Sequence, residues 1–127
     1  MWWPWKPRKK YDVVEYWNNR DNPNSKNPNE RNTELHINYV KSNIDELDKI
    51  LDFGPGVGRI LPAYYRKNKV TGYDISSNYK ERLLKAAKEE EINLELVIET
   101  KKITKFAFVD DSFDCCVSIS VLLHQPP

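Results

Sequence analysis

The chain has only four glycines in 127 residues, and three of them alternate in one run, Ile50-Leu51-Asp52-Phe53-Gly54-Pro55-Gly56-Val57-Gly58-Arg59-Ile60-Leu61. A short apolar strand pattern over 49–53 empties into Gly54, Gly56 and Gly58, and a helical pattern over 59–66 follows at once. Glycines at such a strand-to-helix turn permit a tight bend and let the backbone approach a ligand closely. The dinucleotide fingerprint Gly-x-Gly-x-x-Gly requires glycine at position 59, and the chain has Arg59 there. That departure argues against NAD or FAD as the ligand.

The remaining pattern alternates helices and strands. Residues 33–47 form an amphipathic helix with Ile37, Val40, Ile44 and Leu47 on one stripe and Asn32 or Thr33 as its N-cap, leaving His36 on the solvated side. A second strand is predicted over 69–73 and a second crossover helix over 78–91. That helix turns Tyr79, Leu83, Leu84 and Ala87 inward, with Asn78 and Glu81 as a capping box. Strands over 94–98 and 113–120 follow. Such alternation predicts an α/β fold, a Rossmann-like parallel sheet with right-handed crossovers and flanking helices.

Ahead of this unit, residues 1–32 read as an arm and linker, and residues 33–127 as the folded domain. The arm places Trp2, Trp3 and Trp5 beside Lys6, Arg8, Lys9 and Lys10. It reads as an interfacial or nucleic-acid contact or, more simply, as a terminal segment packed over the domain. An Asn- and Pro-rich loop over 18–32 follows it. A net charge of +1 with 31% charged residues gives no global field toward nucleic acid or membrane. Neither a bilayer-length apolar stretch nor a signal-peptide core is found, so a cytoplasmic protein is expected. The only cysteines, Cys115 and Cys116, are adjacent on a predicted buried strand and point to opposite faces. With His36 and His124 isolated, no metal site is expected.

Three landmarks in order extend the glycine turn: Lys69-Val70-Thr71-Gly72-Tyr73-Asp74, Asp110-Asp111-Ser112-Phe113-Asp114, and Val121-Leu122-Leu123-His124. Together with 50–61 they resemble the class I S-adenosylmethionine (SAM)-dependent methyltransferases, over about residues 48–125. The resemblance implies SAM as cofactor, with Gly54, Gly56 and Gly58 under its methionine portion. Asp52 would organise that loop or engage the methionine ammonium, and Asp74, followed by Ile75, would accept the ribose hydroxyls. Counting back from Asp114, the acid that meets the adenine amino group falls at Lys102, which cannot accept that bond. Ile103 is then the backbone donor to the ring, with Phe108 beside it and Glu99 as an alternative acceptor. Tyr16, Trp17 and Arg20 are candidate lid residues over the cofactor, and His124 is a candidate general base near the transferred methyl.

The implied architecture is the 3-2-1-4 part of a seven-stranded sheet. The sequence passes the fourth strand and stops, so that strand becomes an edge with unpaired backbone groups. A homo-oligomer, or a partner chain covering this strand, is therefore expected. The function implied is methyl transfer to an unidentified acceptor; the alternative is a non-catalytic SAM-binding or scaffold module lacking the substrate half.

Overall fold

The computed structural model describes residues 30–99 and 108–119. Helix α1 (Glu30–Asn43) leads into β1 (Lys49–Phe53), a short 3-10 helix (Leu61–Ala63), β2 (Lys69–Asp74), α2 (Lys80–Glu89), β3 (Asn93–Ile98) and β4 (Cys115–Val117). The four strands are parallel in the order β3-β2-β1-β4, the order the resemblance implies. Ile50 pairs with Val70 and Cys115, and Asp52 pairs with Gly72 and Val117. Side chains alternate across a strand, so these positions share one face of the sheet. That face is the core: Ile50, Val70 and Val117 pack with Val40 of α1, Leu61 and Ala63 of the 3-10 helix, and Leu83 and Ala87 of α2. The opposite face carries an aromatic column in which Phe53 stacks on Tyr73, Tyr73 meets Phe108 edge-on, and Phe108 meets Phe113 edge-on.

Local chemistry shifts several boundaries. Helix α1 ends at Asn43, short of Leu47. Ser42 Oγ and Asn43 Nδ2 both donate to Tyr39 O, at 3.0 and 2.7 Å, and so occupy a last-turn carbonyl. A turn over 45–48 follows, in which the Asp45 amide donates to Asp48 Oδ2 at 2.8 Å and the Leu47 amide to Asp45 Oδ1 at 3.2 Å. Leu47 is thereby turned outward and is 68% exposed rather than part of the core stripe. His36 is half-buried instead of solvated, and its Nδ1 is buried without a hydrogen-bond partner among the described residues.

The helix expected over 59–66 contracts to the single 3-10 turn. Leu61, Ala63 and Tyr64 donate to Gly58, Ile60 and Leu61 respectively, each three residues back. Pro62 has no amide to offer, and the extended backbone of Tyr64 (φ −86°, ψ 152°) ends the turn. Helix α2 starts at Lys80 with Tyr79 at its N-cap and no side-chain cap. The N-cap thus falls one residue after the Asn78 expected there, whose amide donates to Ser76 Oγ at 3.2 Å. Leu84 is 39% exposed, so the inward face is Tyr79, Leu83 and Ala87. Strand β4 is three residues long, with Cys115 and Ile119 against the core and Val117 buried in it, but Cys116 is exposed. A reciprocal pair of 2.8 Å bonds, Lys49 amide to Asp114 Oδ2 and Asp114 amide to Lys49 O, aligns the start of β4 with that of β1.

Asn68 is fully buried and ties two turns together. Its Nδ2 donates to Asp45 O and Asp48 O, at 2.8 and 3.1 Å, and its Oδ1 accepts from the Tyr65 amide at 2.7 Å. The turns entering β1 and β2 are thereby fixed, and with them the register of the central pair. Among the described residues, no helix is long and apolar enough to cross a membrane.

Candidate functional site

The sheet order reverses its winding between β1 and β4, and ligands of open α/β sheets bind outside the carboxyl ends of the strands at such a point. Here the carboxyl ends of β1 and β2 carry the glycine loop, Asp52 and Asp74. The loop leaves the sheet as an extension of the ladder, the Gly54 amide donating to Tyr73 O at 2.8 Å. Pro55 then lies over Gly72, where a β-carbon would come within 3.2 Å of Pro55 Cγ and 3.1 Å of Leu96 Cδ1. Glycine at 72 is what lets the loop rest on the sheet.

The other two loop glycines differ in role. Gly58 (φ +86°) faces inward; a β-carbon there would stand 2.7 Å from Leu61 Cδ1 and 3.0 Å from Leu83 Cδ1. Gly56 (φ +57°) faces open space, with nothing within 4 Å of such a carbon. Gly58 serves packing, and Gly56 leaves bare backbone at the mouth of the site.

Asp74 is held by the loop it faces. The Gly56 amide donates to its Oδ2 at 3.3 Å and the Ser76 amide to its Oδ1 at 3.2 Å. Partial burial pushes its carboxyl above the usual range, opposed by backbone bonds from Ser76, Gly56 and Ile75. Asp52 is 5% exposed and Tyr64 4%, and the Tyr64 hydroxyl donates to Asp52 Oδ2 at 2.7 Å. Burial pushes Asp52 up to about 6, the Tyr64 bond pulls the other way, and the charge of Asp74 raises it further. Burial and then the Asp52 charge push the Tyr64 phenol well above its ordinary value, so it stays protonated as a donor.

Two mutually repelling carboxylates therefore flank the glycine turn, at a place where dinucleotide folds receive a pyrophosphate. A cation relieves that repulsion; an anion adds to it. The Arg59 side chain is engaged with α1, its Nη1 donating to Thr33 Oγ1 at 3.0 Å.

Of the residues singled out from sequence, Asp52, Gly54, Gly56, Gly58, Asp74 and the buried Ile75 come together at this edge. Tyr16, Trp17, Ile103 and His124, with Arg20 and Lys102, lie outside the described residues. Phe108 is packed in the aromatic column. Glu99 starts beside the site, its amide donating to Asp74 O at 2.8 Å. Tyr64 was not anticipated, because a tyrosine in an apolar run reads as core and its hydroxyl partner lies 12 residues away. No group of His, Cys, Asp and Glu able to hold a metal occurs among the described residues.

A protein-family model described as a methyltransferase domain matches residues 50–127. The chain belongs to the methyltransferase-domain family. The matched span begins in β1 and takes in the glycine loop, Asp74 and β4. Two solved structures share the methyltransferase-domain fold. One is coclaurine N-methyltransferase bound to N-methylheliamine and SAH, with a TM-score of 0.52 and 18% identity over 72% of this chain and 27% of that one. The other is the YcgJ protein from Bacillus subtilis, with a TM-score of 0.50 and 20% identity over 70% of this chain and 37% of that one. The chain thus spans well under half the length of either structure. A search of curated proteins finds no match.

Proposed function

We propose that this chain binds SAM at the carboxyl ends of β1 and β2 and acts in methyl transfer to an acceptor. The observation that carries the proposal is the pair of carboxylates, Asp52 and Asp74, on either side of a glycine turn with bare backbone at Gly56. SAM supplies the chemistry, an electrophilic methyl on a sulfonium, and is cationic at both its sulfur and its amino group. The site suits such a ligand by charge and by the space at Gly56.

In this reading Asp74 accepts the ribose hydroxyls through lone pairs its backbone donors leave free. Gly54, Gly56 and Gly58 let the methionine end approach the main chain, and Asp52 attracts its ammonium group. Ile75 offers apolar contact next to the ribose acceptor. The proposal extends to Ile103 at the adenine ring, Tyr16 and Trp17 as cover, and His124 as a base. Methyl transfer is an in-line displacement that depends mainly on positioning, so the described residues bind and orient, and no proton transfer is asked of them. Self-association over β4 belongs to the same proposal. Among the described residues β4 has a strand neighbour on one side only, and sedimentation equilibrium tests it.

Calorimetric titration of the full chain with SAM and S-adenosylhomocysteine (SAH), with Asp74→Ala as control, tests the proposal. Binding to the wild-type chain that is lost in Asp74→Ala supports it. A folded chain that binds neither ligand refutes it. Binding without turnover on a panel of oxygen, nitrogen and carbon acceptors identifies a non-catalytic SAM-binding module instead.

A further inference from the structure

Tyr64 has no part in the motifs that mark the family, yet it makes the only hydrogen bond to the Asp52 side chain among the described residues. Its position follows from the short connection between β1 and β2. The 3-10 turn ends at Ala63, the backbone of Tyr64 is extended, and the phenol is sent back under the sheet among Ile50, Leu61 and Val117. A phenylalanine would supply the same ring, so packing does not account for the hydroxyl.

A phenol has one proton to donate, and a carboxylate has two oxygens. The Tyr64 proton engages Oδ2, and no hydrogen bond reaches Oδ1 among the described residues. We propose that Tyr64 is a positioning residue: by holding Oδ2 it fixes the Asp52 carboxylate in one orientation and leaves Oδ1 as the acceptor for the ammonium group of the bound cofactor. The inference rests on the proposed SAM-binding function. It adds a residue, and a reason why a carboxyl so deeply buried can still serve a cationic ligand.

The electrostatics agree with this geometry. Asp52 is pushed up by burial and by Asp74 of β2, while the Tyr64 bond opposes both. Cys115 and Cys116 of β4 are the other titratable groups coupled to the pair, and burial keeps both thiols above their ordinary range, hence neutral. Without the phenol proton, Asp52 is more readily protonated and free to rotate, so the ligand meets a weaker acceptor. An ammonium group in place pulls the other way and favours the ionised carboxylate.

The test is Tyr64→Phe in the full chain, titrated with SAH and with 5′-methylthioadenosine, which has the nucleoside and sulfur but lacks the amino-acid end. Tyr64→Phe is expected to weaken SAH about tenfold and to leave 5′-methylthioadenosine unchanged. The midpoint of the pH profile for SAH is expected to move upward from near 6. Equal loss for both ligands means a merely structural role and overturns the proposal, as does unchanged SAH affinity. If Tyr64→Phe fails to fold, the wild-type profile decides. SAH affinity must fall below about pH 6 while 5′-methylthioadenosine stays flat, and a flat SAH profile overturns the proposal. A wild-type chain that binds neither ligand refutes the SAM-binding function itself, an outcome distinct from the others.

Discussion

Replacing Gly56 and Gly58 separately by alanine pulls apart the two things a glycine loop does. Both residues have positive φ, at +57° and +86°, so each alanine is strained by roughly 1–2 kcal/mol for its left-handed backbone. Gly58→Ala also drives a methyl to 2.7 Å from Leu61 Cδ1 and 3.0 Å from Leu83 Cδ1. Those leucines are fully buried, at 0 and 1% exposure, and have nowhere to retreat. Overpacking of that kind costs about 1–3 kcal/mol more. The expected destabilisation is about 2–5 kcal/mol for Gly58→Ala and about 1–2 kcal/mol for Gly56→Ala. In a domain of this size each kcal/mol lowers Tm by roughly 3–5 °C. Affinity should rank the other way, because the Gly56 methyl occupies open space at the site mouth, where a ligand would meet bare backbone. Differential scanning calorimetry with SAH titration reads both quantities. Gly56→Ala should lose at least about tenfold in SAH affinity, more than its Tm change accounts for. Gly58→Ala should lose mainly stability. Equal stabilities of the two variants, or wild-type affinity in Gly56→Ala, would refute the division of labour.

Other perturbations follow from single side chains. Asn68→Ala removes three buried hydrogen bonds and strands two carbonyls and an amide, so urea unfolding should show a loss of roughly 2–4 kcal/mol. Asp52 rises from 3.8 to about 6 on folding, so the folded chain holds its proton more tightly than the unfolded chain. Its contribution to stability is therefore fully present below about pH 4 and lost as pH rises through 6. The shift is worth about 3 kcal/mol at most, and Asp52→Asn should flatten that part of the stability-versus-pH curve. Glu91 follows the C-cap of α2 at φ +56°, where glycine is the favoured residue, and its ion pair with Arg66 is exposed. Glu91→Gly should accordingly raise stability by about 0.5–1 kcal/mol in thermal melts, since the lost pair contributes little.

The sheet was legible because its signals are local and redundant. Short apolar strands, the glycine turn and an acid ending the second strand mark the elements locally, and the resemblance to class I SAM-dependent methyltransferases implies their order, 3-2-1-4. The helix expected after the loop was not, because Pro62 at a first turn is compatible with an α-helix and a 3-10 turn alike. Only the distant needs of Tyr64 and Asn68 choose between them. The end of α1 was misplaced for a similar reason. Leu47 continues the apolar period of Ile37, Val40 and Ile44, but Asp45, Asp48 and Asn68 form a polar turn that carries it to the surface. In the candidate site, the glycines were legible as a strand-to-helix turn, while Asp52, Ile75 and Asp74 entered as candidates through the resemblance. The Tyr64 bond to Asp52 and the Arg59 bond to Thr33 were not, since each joins residues 12 or 26 positions apart through side chains that read as core or as surface.

The central claim is that a cationic nucleoside cofactor sits on the glycine loop between Asp52 and Asp74. Amide chemical shifts of the nitrogen-15-labelled full chain, recorded as SAH is added, test it most directly. Saturable shifts are expected at Gly54, Gly56 and Ser76, whose amides bond to Tyr73 O or Asp74 in the free chain, with little change along α2. No perturbation at saturating SAH, or perturbations centred away from the carboxyl ends of β1 and β2, would contradict it.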